Sequence, residues 1–117
     1  MVYHAAGGSG SGVFTAAKAA GADKWAIGVD SDQALTATPD VRDVILTSMI
    51  KKVDVAVYDF LKSASEGNNI SGNKVYDLKA NGVDYATTGG HVDDIKAQLD
   101  DYKQKIISGD ITVPTKP

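Results

Sequence analysis

The sequence predicts an α/β fold with three layers, a mostly parallel sheet and flanking helices. Two observations support this prediction. Short apolar runs alternate with segments whose apolar residues recur at helical spacing, and glycines or aspartates stop these runs. The resulting order of strand, helix, strand, loop, strand and helix is typical of a parallel sheet covered by helices. The length of 117 residues corresponds to one domain.

The first half of the chain predicts three strands and one helix. An apolar run is stopped by Gly7 and Gly8, and the helical spacing that follows ends at Gly21. Pro39 and its polar neighbours predict a loop. The predicted elements are a strand at 2–6, a helix at 13–20, a strand at 25–29, a loop at 33–42 and a strand at 44–46.

The second half predicts two helices and a hairpin. The first helix begins near Thr47 and Ser48, which places Lys51 early in it. Asn81-Gly82 is a favoured two-residue turn and predicts a β-hairpin. The last helix carries aspartates in its first turn and lysines in its last, and Gly109 stops it. The predicted ranges are an apolar helix face over 50–64, hairpin strands at 74–78 and 83–86, a helix at 92–106 and an extended tail at 110–117.

Composition and charge exclude several classes of function. The net charge is −3, and the basic residues are scattered, which disfavours nucleic acid as a partner. With no cysteine, a disulfide framework, a thiol nucleophile and a thiolate metal site are excluded. No apolar run approaches the roughly 20 residues that span a bilayer. The first residues have no basic segment, so we expect no signal peptide and no lipid anchor in this chain.

The stretch HAAGGSGSGVF, residues 4–14, does not match the common phosphate-binding motifs. A Walker A loop needs Lys and Ser or Thr after its last glycine, whereas Val13 and Phe14 follow Gly12. The spacing of G-x-G-x-x-G is also not met. A tight turn and a ligand contact both fit, because ligands of open α/β sheets bind at the carboxyl ends of strands.

Four other positions have a structural and a functional interpretation each. Asp30 and Asp32 follow a strand and could hold a sugar diol, hold a metal, cap the next segment or simply be solvated. Phe14 is either a core residue or a ring that stacks on a ligand. Lys51 is either solvated or the partner of a ligand or carboxylate.

The sequence does not indicate an enzyme, a cofactor or a metal site. Its two histidines, His4 and His91, are far apart, and no metal-binding or nucleophile motif is present. A small enzyme with response-regulator-like or flavodoxin-like topology is one alternative, with Asp30 and Asp32 as an acidic metal pocket. The predicted position of Lys51 in a helix argues against it.

Four motifs in order resemble the basic membrane protein family. They are AAGGSGSGVFTAAK, KWAIGVDSDQ, VILTSMIKKVDVAVYDFLK and GVDYATTGGHVDDIKAQLDDYKQKIISGDITVP. This family comprises the substrate-binding lipoproteins of ABC transporters for nucleosides. The resemblance covers residues 1–117 and corresponds to the C-terminal portion of such proteins. It implies a partial lobe of a type I periplasmic-binding-protein fold.

The resemblance also implies a nucleoside site. Gly7 and Gly8 are expected to line the cleft, and Phe14 to contact the base. Asp30 is expected to accept the ribose hydroxyls, with Lys51 as the basic ribose contact.

Family members are longer, exported and lipid-anchored outside the cytoplasmic membrane. The chain is therefore expected to lack the first lobe and the anchor. Segments near 47–53 and 84–90 are expected to approach the hinge between lobes. The implied partners are a nucleoside, a transporter permease, and the missing lobe or a second copy of the chain.

Two functions remain open on the sequence alone. The first is a ligand-binding fragment of a substrate-binding protein for purine nucleosides, which performs no chemistry. The second is a self-associating α/β scaffold domain with a vestigial pocket, because unpaired sheet edges favour pairing with another copy.

Overall fold

A computed structural model describes residues 1–68 and 70–116. The chain forms two compact units. The first contains Met1–Lys51 and Asp84–Asp94, and the second contains Lys52–Val83 and the chain from Ile95 onward. The residues predicted to bind ligand all belong to the first unit.

The sheet has four strands in the spatial order β1-β2-β3-β4. β1 pairs with β2 in parallel, and β2 pairs with β3 in parallel. The strands are β1 (Val2–Tyr3), β2 (Ala26–Asp30), β3 (Ile45–Lys51) and β4 (Val83–Tyr85). The α/β class and the mostly parallel sheet are therefore confirmed.

β4 runs antiparallel to β3 and replaces the predicted hairpin. The N–H of Ala86 donates to the Ser48 carbonyl at 2.9 Å, and the N–H of Lys52 donates to the Gly82 carbonyl at 2.8 Å. The earlier residue Ser48 thus pairs with the later residue Ala86, and Lys52 pairs with Gly82, which is the order of an antiparallel pair. The prediction of a hairpin between 74–78 and 83–86 was wrong, because residues 74–78 form no strand.

The core of the first unit lies between the sheet and its helices. The helices are α1 (Ser11–Ala19) and the short α2 (Gln33–Thr36), with 3₁₀ turns at Gly7–Gly10 and Arg42–Val44. Part of the predicted loop at 33–42 is therefore helical. The buried cluster is formed by Phe14, Ala26, Ala34, Val41, Val44 and Ile45. Burial of these apolar side chains is the main force that holds α1 on the sheet.

β3 is longer than its sequence suggests and corrects the predicted start of the following helix. Thr47 pairs with Ile27 and Met49 with Val29, so the ladder continues to the end of β2. The β-branched residues of this stretch favour a strand, and this tertiary pairing overrides the helical periodicity that begins nearby. Lys51 consequently ends a strand rather than opening a helix.

The second unit contains two longer helices, α3 (Val53–Ser65) and α4 (Lys96–Ser108). A 3₁₀ turn, Asp93–Ile95, precedes α4. Gly109 ends α4 with a φ of +91°, a left-handed conformation that suits glycine, as predicted. Residues 110–116 form no helix or strand, and Pro117, the last residue of the predicted tail, lies outside the described residues.

The apolar face of α3, which the periodicity of the sequence predicted, is exposed. Val53 is 67% exposed and Leu61 is 60% exposed, and none of the residues of α3 is buried. The opposite side of the helix makes side-chain contacts with residues 74–76. There Asp59 accepts hydrogen bonds from Lys74 at 2.5 Å and from Tyr76 at 3.2 Å. These contacts hold the segment that was predicted to be a hairpin strand.

Candidate functional site

The candidate site lies where three parallel strands end. β1 leads into the glycine-rich turn, β2 ends at Asp30 and β3 ends at Lys51. Because the strands are parallel and Asp30 is in register with Ile50, their carboxyl ends share one edge of the sheet. This edge is where open α/β sheets bind ligands. The topology therefore gathers residues that are far apart in sequence.

Asp30 and Lys51 form an ion pair at this edge. Lys51 Nζ lies 2.7 Å from Asp30 Oδ1, and the side chains are 56% and 55% exposed, respectively. Asp30 has a φ of +71°, a left-handed conformation that is uncommon for any residue other than glycine. Such conformations persist where the surrounding structure imposes them, and they cluster at functional sites. The sequence predicted both residues as ligand contacts but placed Lys51 on the wrong kind of element.

Asp30 raises the pKa of Lys51 above its ordinary value of 10.5, first through their hydrogen bond and then through Coulomb attraction. Desolvation opposes this rise, and Tyr3 adds a smaller increase. Because its pKa is raised, Lys51 is fully charged, and its attraction to Asp30 complete, at pH values below the ordinary pKa of 10.5. The attraction is lost as pH rises through the pKa that Lys51 has in the folded chain. The pair is therefore intact at neutral pH.

Replacement of Asp30 by asparagine should lower the pKa of Lys51 toward its ordinary value. A side-chain NMR titration of the lysines at alkaline pH measures this change. Lys105, whose pKa is raised by Asp101, is the internal control and should not respond. An unchanged Lys51 titration in the Asp30→Asn variant would contradict the pairing.

The glycine-rich turn presents an open backbone at the same edge. Gly7–Gly10 form a 3₁₀ turn, and Gly7 has a φ of +53°. A Cβ at Gly7 or Gly8 would meet no atom within 4 Å, so the backbone is accessible there. This openness fits the predicted role of Gly7 and Gly8 as a pocket wall, which remains a prediction.

Phe14 lies apart from the exposed ion pair. It is 2% exposed and belongs to the core cluster. Together with Gln33 and Thr36 it lines a cavity of about 260 Å³. Its predicted contact with a base is untested, and its burial is that of a core residue. The exposed aromatic at this edge is Tyr3, 51% exposed and close enough to Lys51 to raise its pKa.

A buried polar network connects the residue after β1, the end of β2 and the middle of β3, and sequence reasoning missed it. The side-chain oxygen of Gln33 accepts hydrogen bonds from the Val29 N–H at 2.7 Å and from His4 Nε2 at 3.1 Å. The N–H of Gln33 donates to Ser48 Oγ at 3.1 Å. His4 is 5% exposed and Ser48 is fully buried. The one sequence signal that could have marked Gln33 is its place in the polar stretch that follows the buried strand β2.

Asp32 does not act together with Asp30. Its Oδ2 accepts a hydrogen bond from Thr88 Oγ1 at 2.5 Å, while its buried Oδ1 has no hydrogen-bond partner among the described residues. No group of three or more His, Asp or Glu residues in 1–68 and 70–116 could hold a metal ion.

Solved structures with the same fold identify the class of protein. The chain superposes with a TM-score of 0.72 and 27% identity on an ABC transporter system solute-binding protein from Aeropyrum pernix K1, over 97% of this chain and 40% of that one. It superposes with a TM-score of 0.74 and 31% identity on a structure from Bacillus halodurans described as a transcriptional activator of the comK gene, over 90% of this chain and 35% of that one. The fold is that of the solute-binding proteins of ABC transporters.

The family follows from the sequence comparison. A model of the family described as Bmp, ABC transporter substrate-binding protein PnrA-like, matches residues 1–117. The chain belongs to this family, as the four motifs indicated.

Curated relatives align with nearly the whole chain. The CD4+ T-cell-stimulating antigen of Listeria monocytogenes is 42% identical over 130 aligned positions, which cover all of this chain and 36% of the relative. The ABC transporter nucleoside-binding protein BmpA of Lactococcus lactis is 38% identical, over 99% of this chain and 36% of the relative. Basic membrane protein A of Borreliella burgdorferi is 32% identical, over 98% and 34%, respectively. The chain thus spans about a third of the length of these relatives.

Within residues 1–68 and 70–116, no helix is both long and apolar enough to cross a bilayer.

Proposed function

We propose that this chain carries part of the nucleoside site of an ABC-transporter substrate-binding protein, with Asp30 and Lys51 as its ribose-binding pair. The observation that supports the proposal is their 2.7 Å contact at the carboxyl ends of two adjacent parallel strands. An exposed ion pair of this kind contributes little to stability, so its position is better explained by recognition. The name of the Lactococcus lactis relative, a nucleoside-binding protein, supports the same ligand class.

The chemistry of the pair suits a vicinal diol. A carboxylate accepts two hydrogen bonds, one from each ribose hydroxyl, and an ammonium group donates to a hydroxyl oxygen. Hydrogen bonds to charged groups are stronger than those between neutral groups, which favours ribose over an apolar ligand. The open backbone at Gly7 and Gly8 lets a flat ring approach closely.

We expect the affinity of the isolated chain to be low. Ligand pockets normally bury most of the ligand surface, whereas Asp30 and Lys51 are more than half exposed. A dissociation constant on the order of millimolar is the expected value. The rest of such a receptor or a second copy of the chain could close over the ligand, and this closure should increase the affinity.

The two-unit organisation supports the proposed hinge segments. The chain passes between the units at three steps, Lys51–Lys52, Val83–Asp84 and Asp94–Ile95. The first two lie at or beside the segments 47–53 and 84–90, and the third lies beyond them. By family, the proposed partners are a nucleoside and a transporter permease, and the proposed location is outside the cytoplasmic membrane. The proposed role involves binding without catalysis.

Calorimetric titration with adenosine and with 2′,3′-dideoxyadenosine tests the ribose assignment. Adenosine should bind, and the dideoxy compound should bind at least about tenfold more weakly, because two hydrogen bonds to charged groups are lost. Equal binding of the two compounds would contradict the assignment of Asp30 and Lys51 to ribose.

A self-associating scaffold is a second proposal, and the exposed apolar surface of α3 favours it. Val57, Phe60 and Leu61 share one face of the helix and are each more than half exposed. Contiguous apolar surface of this kind marks interaction sites. The short strand β1 also lies at an edge of the sheet. Light scattering at rising concentration distinguishes the two proposals: a scaffold should form dimers, and a monomer at all concentrations would contradict it.

A further inference from the structure

Gln33 connects β2, β3 and the residue before the glycine-rich turn through hydrogen bonds of its side chain and its backbone. Its oxygen accepts hydrogen bonds from the backbone of β2 at Val29 and from His4, the residue after β1. The backbone N–H of Gln33 donates to Ser48, on β3. The backbone N–H of Val29 needs an acceptor, so the side-chain oxygen of Gln33, and not its amide nitrogen, faces it. Because the same oxygen also lies against His4 Nε2, that ring nitrogen carries a proton. One residue thus bonds to β2 near its end, to the middle of β3 and to the residue that follows β1.

His4 also contacts the glycine-rich turn, at Gly10. Its ring packs so closely on Gly10 that a Cβ there would overlap the ring, which explains why position 10 of the turn is glycine. The ring also lies edge-on to Phe14, with centroids 5.4 Å apart. The other ring nitrogen, Nδ1, is buried and has no hydrogen-bond partner among the described residues. The position of the turn therefore depends on the packing of one ring and on its single hydrogen bond to Gln33.

We infer that His4 and Gln33 are positioning residues, which fix the glycine-rich turn against the ends of β2 and β3 and thereby set the affinity for a nucleoside. The inference rests on the proposed function for its effect on affinity, but its effect on the turn is independent of any ligand. Neither residue is assigned a contact with the nucleoside. Both are less exposed than Asp30 and Lys51, and their polar groups face the protein.

A matched pair of variants at His4 separates the hydrogen bond from the packing. His4→Gln keeps an N–H donor near the position of Nε2, whereas His4→Phe keeps a ring but has no donor. His4→Phe should lower the affinity for adenosine about fivefold, the effect of losing one buried hydrogen bond, and His4→Gln should stay within about twofold of the wild type. The backbone order parameters of residues 7–10, measured by ¹⁵N relaxation without ligand, should fall from about 0.85 toward 0.6 only in His4→Phe.

Unchanged order parameters in a folded His4→Phe variant, or the same loss in His4→Gln, would overturn the inference. If the chain binds no nucleoside, the proposed function fails, while the order parameters still test the positioning role. If His4→Phe does not fold, the pair Gln33→Glu and Gln33→Met provides the same test. Glu keeps the acceptor and should preserve the order of the turn, Met removes it, and equal behaviour of the two would contradict the inference.

Discussion

Replacement of Asp30 by alanine is expected to abolish measurable nucleoside binding and to lower the free energy of unfolding by only about 1 kcal/mol, the cost of alanine in the left-handed conformation at φ +71°. The carboxylate supplies the charged acceptors for the ribose hydroxyls, and each such hydrogen bond contributes about 1.5–3 kcal/mol. Its ion pair with Lys51 is more than half exposed, so its loss should have little effect on the free energy of unfolding. Calorimetric titration with adenosine and urea unfolding measure the two effects.

Two further variants serve as controls. Asp30→Asn removes the charge but keeps a side chain that tolerates the left-handed conformation at φ +71°. Asp43→Asn removes a comparable exposed carboxylate, which pairs with Lys18 at 2.5 Å and lies before β3 rather than at its carboxyl end. Asp30→Asn should bind adenosine as poorly as Asp30→Ala, and Asp43→Asn should bind as the wild type does. Full binding by Asp30→Asn would refute the role of the carboxylate.

Replacement of Phe14 by alanine should lower the free energy of unfolding by about 3–5 kcal/mol. The side chain is 2% exposed and packs in the core cluster, so its truncation removes apolar contacts and leaves a cavity. This loss is a large part of the stability of a small domain, about 5–15 kcal/mol. Urea unfolding followed by the fluorescence of Trp25, which lies in the same unit, measures it.

Phe60 provides the matched control for Phe14. It lies on α3 and is 54% exposed, so Phe60→Ala should change the stability by no more than about 0.5 kcal/mol. Phe14→Leu keeps most of the buried volume and should cost less than Phe14→Ala. Near-equal stabilities of Phe14→Ala and the wild type would show that Phe14 is not a core residue. Its assignment as a base contact would then gain support.

The fold class followed from the sequence because alternating apolar runs and glycine stops are local signals. The glycine stop of α4 at Gly109 and the end of α1 before Gly21 were predictable for the same reason. The extension of β3 to Lys51 was not, since it depends on pairing with β2, which local periodicity does not report. The hairpin prediction failed for a similar reason, because β4 pairs with β3 instead of with its neighbour in sequence.

The candidate site was predictable only in part. Asp30 follows an obvious strand, and the family motif marked Lys51, so both could be singled out before their contact was known. Gln33 and His4 could not be, because their importance comes from a hydrogen bond between side chains that lie 29 residues apart in the sequence. Tyr3 was missed because it belongs to a strand of only two residues at the sheet edge.

The most direct test of the nucleoside site is an NMR titration of the ¹⁵N-labelled chain with adenosine, followed residue by residue. This measurement detects binding at millimolar affinity and also locates it. A site at these strand ends should give saturable shifts at Gly7, Gly8, Asp30 and Lys51 and smaller changes elsewhere. No shifts in a folded chain, or shifts confined to the second unit, would contradict the assignment of a nucleoside site to the ends of these three strands.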